Sequence, residues 1–250
     1  MPALAALAMT ITALAYGSGP AAAQEPDPSN QTLGLSANAS WVTDLYDETL
    51  GRSPAESEVD FWVGRLAGGG AESRVQAARQ FVYSPEGSGI EVDRAYADLL
   101  GRTPEAGGHT FWTNFLQSNP VTVLRSNLIA SEEYYVTSGG TNGAWLRVLY
   151  EQVLARSVDA GGLAYWTARL EAGEPRWVVV WSVYLSPEAL GNRADAYAEE
   201  ILDRPLTPTE RADAVNLIKA EDERAFRAQL LATDEAFEPY LEAVGLLGRK

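Results

Sequence analysis

The sequence repeats itself with a period of about fifty residues, and a chain built that way folds as like supersecondary units that bury one another's apolar faces. Three stretches align without a gap: WVTDLYDETLGRSPAESEVDFWVGRL, VDRAYADLLGRTPEAGGHTFWTNFL and WLRVLYEQVLARSVDAGGLAYWTARL. Tyr46, Tyr96 and Tyr150 each stand six residues before Arg52, Arg102 and Arg156, which stand ten before Trp62, Trp112 and Trp166. Every one of these Trp residues follows an aromatic residue, Phe61, Phe111 or Tyr165, and precedes Leu66, Leu116 or Leu170 by four. A worn fourth copy begins near Arg193, keeps Tyr197 and Leu202-Asp203-Arg204, and has Ala214 and Ile218 where the others have Trp and Leu. Each copy closes on a hydroxyl residue two positions before a glutamate: Ser84 and Glu86, Ser131 and Glu133, Ser186 and Glu188, Thr233 and Glu235.

The spacing inside a copy is helical. Trp41, Leu45, Tyr46 and Leu50 recur at three-to-five-residue steps, the stripe of an amphipathic helix and not the alternation of a strand. Gly51 and Gly101 fall where that helix should end, because glycine takes the left-handed conformation at little cost. Ser53-Pro54-Ala55-Glu56 and Thr207-Pro208-Thr209-Glu210 read as capping boxes with Pro at the first helical position; Thr103-Pro104 and Ser157 mark the same start in the other copies. After the Gly-rich break at residues 68–70 a third helix is expected over about 72–82. The expected fold is therefore all-α: tandem repeats of about fifty residues, roughly three helices each, packed as a helical array or bundle. The repeats are placed at 37–89, 90–142, 143–192 and 193–250, the last a degenerate copy serving as C-terminal cap.

Residues 1–23 read as a signal peptide, with an apolar stretch over 4–16, a breaker at Gly17-Ser18-Gly19-Pro20 and cleavage after Ala21-Ala22-Ala23; no Lys or Arg precedes the apolar stretch. A polar linker is expected over 24–36. No later stretch approaches the ~20 consecutive apolar residues of a spanning helix. The expectation is a secreted or extracytoplasmic protein without a membrane span. With 34 Asp plus Glu against 19 Lys plus Arg, the net charge of −15 disfavours nucleic acid and anionic lipid as partners. The absence of Cys and the presence of a single His remove thiolate metal sites, cysteine nucleophiles and most histidine-based chemistry.

The marked residues admit two readings each. Arg52, Arg102, Arg156 and Arg204 fall at helix C-termini, where a cation meets the negative end of the helix dipole; they are read as structural, pairing with Glu86, Glu133, Glu188 or Glu235, and alternatively as an anion or glycan-carboxylate site. Trp62, Trp112 and Trp166 lie on the apolar stripe with Leu and are read as core. Trp177 and Trp181, four apart in the third copy only, are the candidates for an exposed binding patch. Glu56, Glu58, Asp60 and Asp159 raise calcium or a glycosidase carboxylate pair as alternatives, but match no loop with ligands at alternate positions; no metal ligand set is assigned. His109 is expected to be a solvated imidazole.

Taken together, the Tyr, Leu-Gly-Arg, Pro or Asp, Gly-Gly, aromatic-Trp and Leu pattern, closing in Ser-x-Glu, resembles the bacterial family known as domain of unknown function 4214. The resemblance rests on residues 46–66, 96–116 and 150–170 with Ser84, Ser131 and Ser186; the first copy has Ser57-Glu58 in place of Gly-Gly, and the fourth lacks the aromatic-Trp pair. It implies all-helical domains, distantly similar to the linker polypeptides of cyanobacterial antennae, in exported or surface proteins; it carries over no catalytic residue. The expected function is that of a secreted, non-enzymatic binding or scaffold protein for a cell-envelope or extracellular-matrix component, glycan or protein, without a resident cofactor. The alternatives are a secreted carboxylate-based hydrolase of cell-wall or matrix glycan and a calcium-stabilised scaffold.

Overall fold

The computed structural model describes residues 28–247, with side chains from residue 32 onward. The expected signal peptide lies outside the described residues. Among these there are fourteen α-helices and no strand. The first unit is α1 (Pro28–Leu50), α2 (Glu56–Leu66) and α3 (Ala71–Val82); the second is α4 (Pro85–Leu100), α5 (Ala106–Phe115) and α6 (Val121–Ala130). In the third, the first helix is split by a turn into α7 (Glu132–Thr137) and α8 (Asn142–Leu154), followed by α9 (Ala160–Glu171) and α10 (Arg176–Tyr184). The fourth is α11 (Pro187–Leu202), α12 (Pro208–Ala220) and α13 (Glu223–Leu231), and α14 (Asp234–Ala243) follows it. Three helices per copy and the third helix near 72–82 are as the sequence predicts.

Three expectations need correction. Helix α1 begins at Pro28, so residues 28–36 of the expected linker are helical; their polar composition does not end a helix whose buried stripe continues at Ala37 and which packs on α14. The closing hydroxyl residues open the next unit: Ser84, Ser131, Ser186 and Thr233 are N-caps whose side-chain oxygens accept from the backbone N–H three residues on, at 2.9–3.1 Å. Unit boundaries therefore fall several residues before those expected. The second helices of the first three units also start later than Ser53, Thr103 and Ser157, with N-caps at Ala55, Glu105 and Asp159. Only Thr207 forms the expected capping box with Glu210. In all four units the cap lies three residues after the repeated arginine. A residue before proline avoids the helical region, which holds Ser53 and Thr103 extended.

The left-handed residue ending each first helix is present in every unit: Gly51 (φ 65°), Gly101 (φ 66°), Ala155 (φ 53°) and Asp203 (φ 54°). An L-residue with a Cβ is strained there by about 1–2 kcal/mol, part of which glycine would return in unfolded-chain entropy. Ala155→Gly is therefore expected to raise stability by about 0.5–1 kcal/mol, read as a shift of the urea midpoint at unchanged slope. No shift, or a loss, would mean that the backbone at Ala155 relaxes on its own.

Consecutive units pack against one another, and the fourth returns to the first: α13 packs along α3 and α14 against α1. Across this closure Trp41 Nε1 donates to the Leu231 carbonyl at 3.0 Å, Arg227 Nη2 to Glu48 O at 3.0 Å and Arg74 Nε to Ala232 O at 3.2 Å. The core of the first unit, around Trp41, Tyr46, Trp62 and Phe81, takes in Ala228, Leu231 and Phe237 from the other end of the chain. The four units thus form a closed assembly. The fourth unit, expected as a C-terminal cap, does not close a free end; its α13 is buried along nearly its whole length, since the returning chain places it inside the seam.

Candidate binding surface

The repeated arginine and tyrosine build one device four times. Having passed the left-handed residue, Arg52 grips Glu86 at the start of α4 through Nε (2.6 Å) and Nη2 (3.2 Å), while its Nη1 donates to the Ser53 carbonyl. Arg102 holds Glu133, Arg156 holds Glu188 and Arg204 holds Glu235 with the same two nitrogens. Each guanidinium of the first three also lies over the tyrosine six residues before it, 4.8, 5.2 and 5.4 Å from the ring centroid. The arginines thus tie the loop of one unit to the first turn of the next, which is the structural role read from the sequence. In the first and fourth units a second carboxylate joins: Glu58 and Glu210 each take Arg52 or Arg204 on both oxygens and also accept the N–H of the cap residue. Those guanidiniums, then the cap N–H groups, hold both carboxyls down at about 2. In the second unit Glu105, at the cap, reaches Arg102 (3.0 Å); in the third Asp159 caps Gly162. Glu58 and Asp159, raised as calcium or catalytic carboxylates, are thus engaged within the protein, and among the described residues no group of three or more acids and histidines is arranged to hold a metal ion.

The aromatic doublets divide their work between core and surface. Trp62 is buried and Trp112 and Trp166 are half-buried, with Trp62 Nε1 donating to the Tyr46 hydroxyl (3.3 Å) and Trp166 Nε1 to that of Tyr150 (3.0 Å). In the fourth unit the position six before Arg204 is Ala198, not Tyr197 as the sequence suggests, and Ala214 stands at the Trp position, so both halves of the pair are replaced together. Neighbours on a helix are 100° apart, and Phe61, Phe111 and Tyr165 accordingly face solvent, more than half exposed, edge-on to their indoles at 4.8–5.2 Å. The sequence reading missed this outward member of the doublet; the angular step between adjacent residues is the signal that finds it.

Trp177 and Trp181 form an exposed aromatic pair, 54% and 45% accessible, with ring centroids 6.3 Å apart and nearly perpendicular. They stand on α10, whose opposite face is fixed by buried Val179, Val180, Val183 and Tyr184. Arg176 pins the start of α10, its guanidinium over the Tyr135 ring at 4.4 Å and bound to Glu132 and the Ala130 carbonyl. Counted back from the hydroxyl cap, the same two positions in the fourth unit are Arg224 and Ala228, both buried. The face that is covered by neighbouring helices in α13 is open in α10 and carries two indoles. Elsewhere, a concavity of about 930 Å³ lies between α1, the α2–α3 turn and α14. His109 is partly exposed, 3.6 Å from Asp93.

A group of charges that the sequence leaves among ordinary solvated ones is buried at the centre. Asp222, Glu223, Arg224 and Arg227 of the fourth unit and Glu91 of the second are all at most 6% exposed. Glu223 is met by Arg193 (2.9 Å) and by the Tyr184 hydroxyl (3.3 Å), and Arg224 bonds Asp222 (2.7 Å) and the carbonyls of Leu116 (3.2 Å) and Asn119 (3.0 Å).

These features define a closed, all-helical repeat protein whose repeated residues lock unit to unit and in which one unit, the third, adds a pair of exposed indoles. A family model described as Domain of unknown function (DUF4214) matches residues 27–89 and 125–192, together more than half of the chain, and the chain belongs to that family. No curated protein and no solved structure matches it.

Proposed function

We propose that the protein is a secreted, non-enzymatic binding or scaffold protein that holds a cell-envelope or extracellular-matrix component, glycan or protein, on the Trp177–Trp181 face of α10. The observation that carries this reading is the exposure of both indoles on a helix whose counterpart, α13, uses the same register to dock inside the molecule. A tryptophan presents about 150–250 Å² for burial and an N–H to bond, which makes two neighbouring exposed indoles a platform for a sugar ring or a partner helix. The seating of α10 on its valine face and on Arg176 means that little conformational freedom is lost when a ligand docks.

Purified residues 24–250 should pellet saturably with insoluble cell-wall or extracellular-polysaccharide preparations. Trp177→Ala/Trp181→Ala should abolish pelleting while the helical circular dichroism stays unchanged, because α10 is held by its buried valine face and not by the two half-exposed indoles. Pelleting that survives the double substitution would remove this face as the binding site, and no pelleting of the parent protein would remove the insoluble envelope and matrix material as its target.

A further inference from the structure

The concavity of about 930 Å³ between α1, the α2–α3 turn and α14 is a groove with an apolar floor. Leu66 and Phe237 are buried in that floor and Leu241 is half-buried beside them. Leu35 of α1 and Leu247 beyond α14 stand at the mouth, 41% and 39% exposed. Large apolar side chains held in water beside an apolar trough mark a surface that another apolar face would cover. At one end Gly68 (φ 72°) and Gly69 keep the α2–α3 turn free of side chains, so a partner can approach the backbone closely.

The walls fix the sign of the partner. Helix α1 carries three acids and α14 four, and neither carries a Lys or Arg. Asp234, Glu235 and Glu238 line the groove itself, and the Asp234 side chain is 91% exposed. Arg74, the base of the lining, is buried and bound to Asp234, and the Arg204 that holds Glu235 is shared with Glu210, so carboxylates outnumber guanidiniums there. A cationic partner is therefore drawn in, and a second copy of this chain, at net charge −15, is repelled. The backbone of the walls also sets the partner's form. Both walls are helices, whose N–H and C=O groups bond along their own axes, so no strand edge is offered to an extended peptide. A helix arrives with its backbone already satisfied.

We propose that this groove docks the apolar face of a lysine- or arginine-rich amphipathic helix from a partner protein. Leucine-sized side chains of that helix would lie against Leu35, Leu66, Leu241 and Leu247, while its flanking cations face Asp234 and Glu238. The groove shares no residue with the Trp177–Trp181 face and does not depend on the reading given for it.

The test is a fluorescence-anisotropy titration of three labelled synthetic peptides with purified residues 24–250, which keep every described helix. One peptide is an amphipathic helix of leucine and lysine, the second a scramble of it with no apolar face, and the third an amphipathic helix of leucine and glutamate. At about 0.15 M salt the first should bind with Kd on the order of 10 μM, and the other two at least about tenfold more weakly. Leu35→Asn/Leu247→Asn, at two exposed positions and so without effect on the helical circular dichroism, should weaken the first peptide at least about tenfold through the loss of two apolar contacts. Trp177→Ala/Trp181→Ala should leave it unchanged. No binding of the leucine–lysine helix, equal binding of either of the other peptides, or binding that survives Leu35→Asn/Leu247→Asn would overturn the proposal. So would a dimer of the parent protein that the same double substitution dissolves, which would give the groove to a second copy.

Discussion

Glu223→Gln is expected to destabilise the protein by about 3–5 kcal/mol, the cost of removing one partner from a buried ion pair. Glu223 is 1% exposed and meets the Arg193 guanidinium, itself stacked 3.8 Å over the Tyr184 ring, so the cation cannot turn to water without unpacking that ring. The amide can still accept the Tyr184 hydroxyl, which confines the loss to the uncompensated charge. Against a usual total stability of about 5–15 kcal/mol, such a change removes about a fifth or more of what holds the fold. Adding Arg193→Met should restore most of it, because an ion pair replaced whole by groups of similar volume is often neutral. Urea unfolding of the two single variants and the double variant measures all three numbers. A Glu223→Gln loss below about 1 kcal/mol would mean that Arg193 finds solvent or another carboxylate.

Trp41→Ala is expected to cost about 3–5 kcal/mol and to loosen two ends of the sequence at once. The indole is 3% exposed, donates to a carbonyl 190 residues away and stands edge-on to Phe237 at 6.3 Å. In an open stack of repeats the same substitution would be felt within its own unit, since each repeat touches only its neighbours. In the closed assembly, hydrogen exchange should accelerate in α1, α13 and α14 together, ahead of α8 and α9. Acceleration confined to the first unit would contradict the closure.

The contrast between these two residues marks where sequence reading succeeds and where it stops. Trp41 belongs to a periodic stripe, and periodicity assigns it to a helix face with no knowledge of the partner. The Arg–Glu ties are legible for the same reason: four recurrences of an arginine and of a hydroxyl-x-glutamate imply one geometry. Local chemistry misled at Ser53-Pro54, which imitates a cap, because the cap N–H is taken by Glu58 two residues beyond where a capping box would place it. Closure was not legible, since nothing local distinguishes an end unit from one that meets the other end. For the same reason nothing in their local sequence marks Asp222, Glu223, Arg224 and Arg227 as buried. Trp177 and Trp181 could be singled out because they interrupt the repeat.

The closure also decides how such a chain can lengthen. An open solenoid accepts another copy at any joint, for the new unit only displaces an end. Here a fifth full unit would have to part α13 from α3 and pull Trp41 off the Leu231 carbonyl before it could enter. The number of members is therefore a property of the seam, and the units differ in what they display, one of them presenting tryptophans where its counterpart is sealed inside.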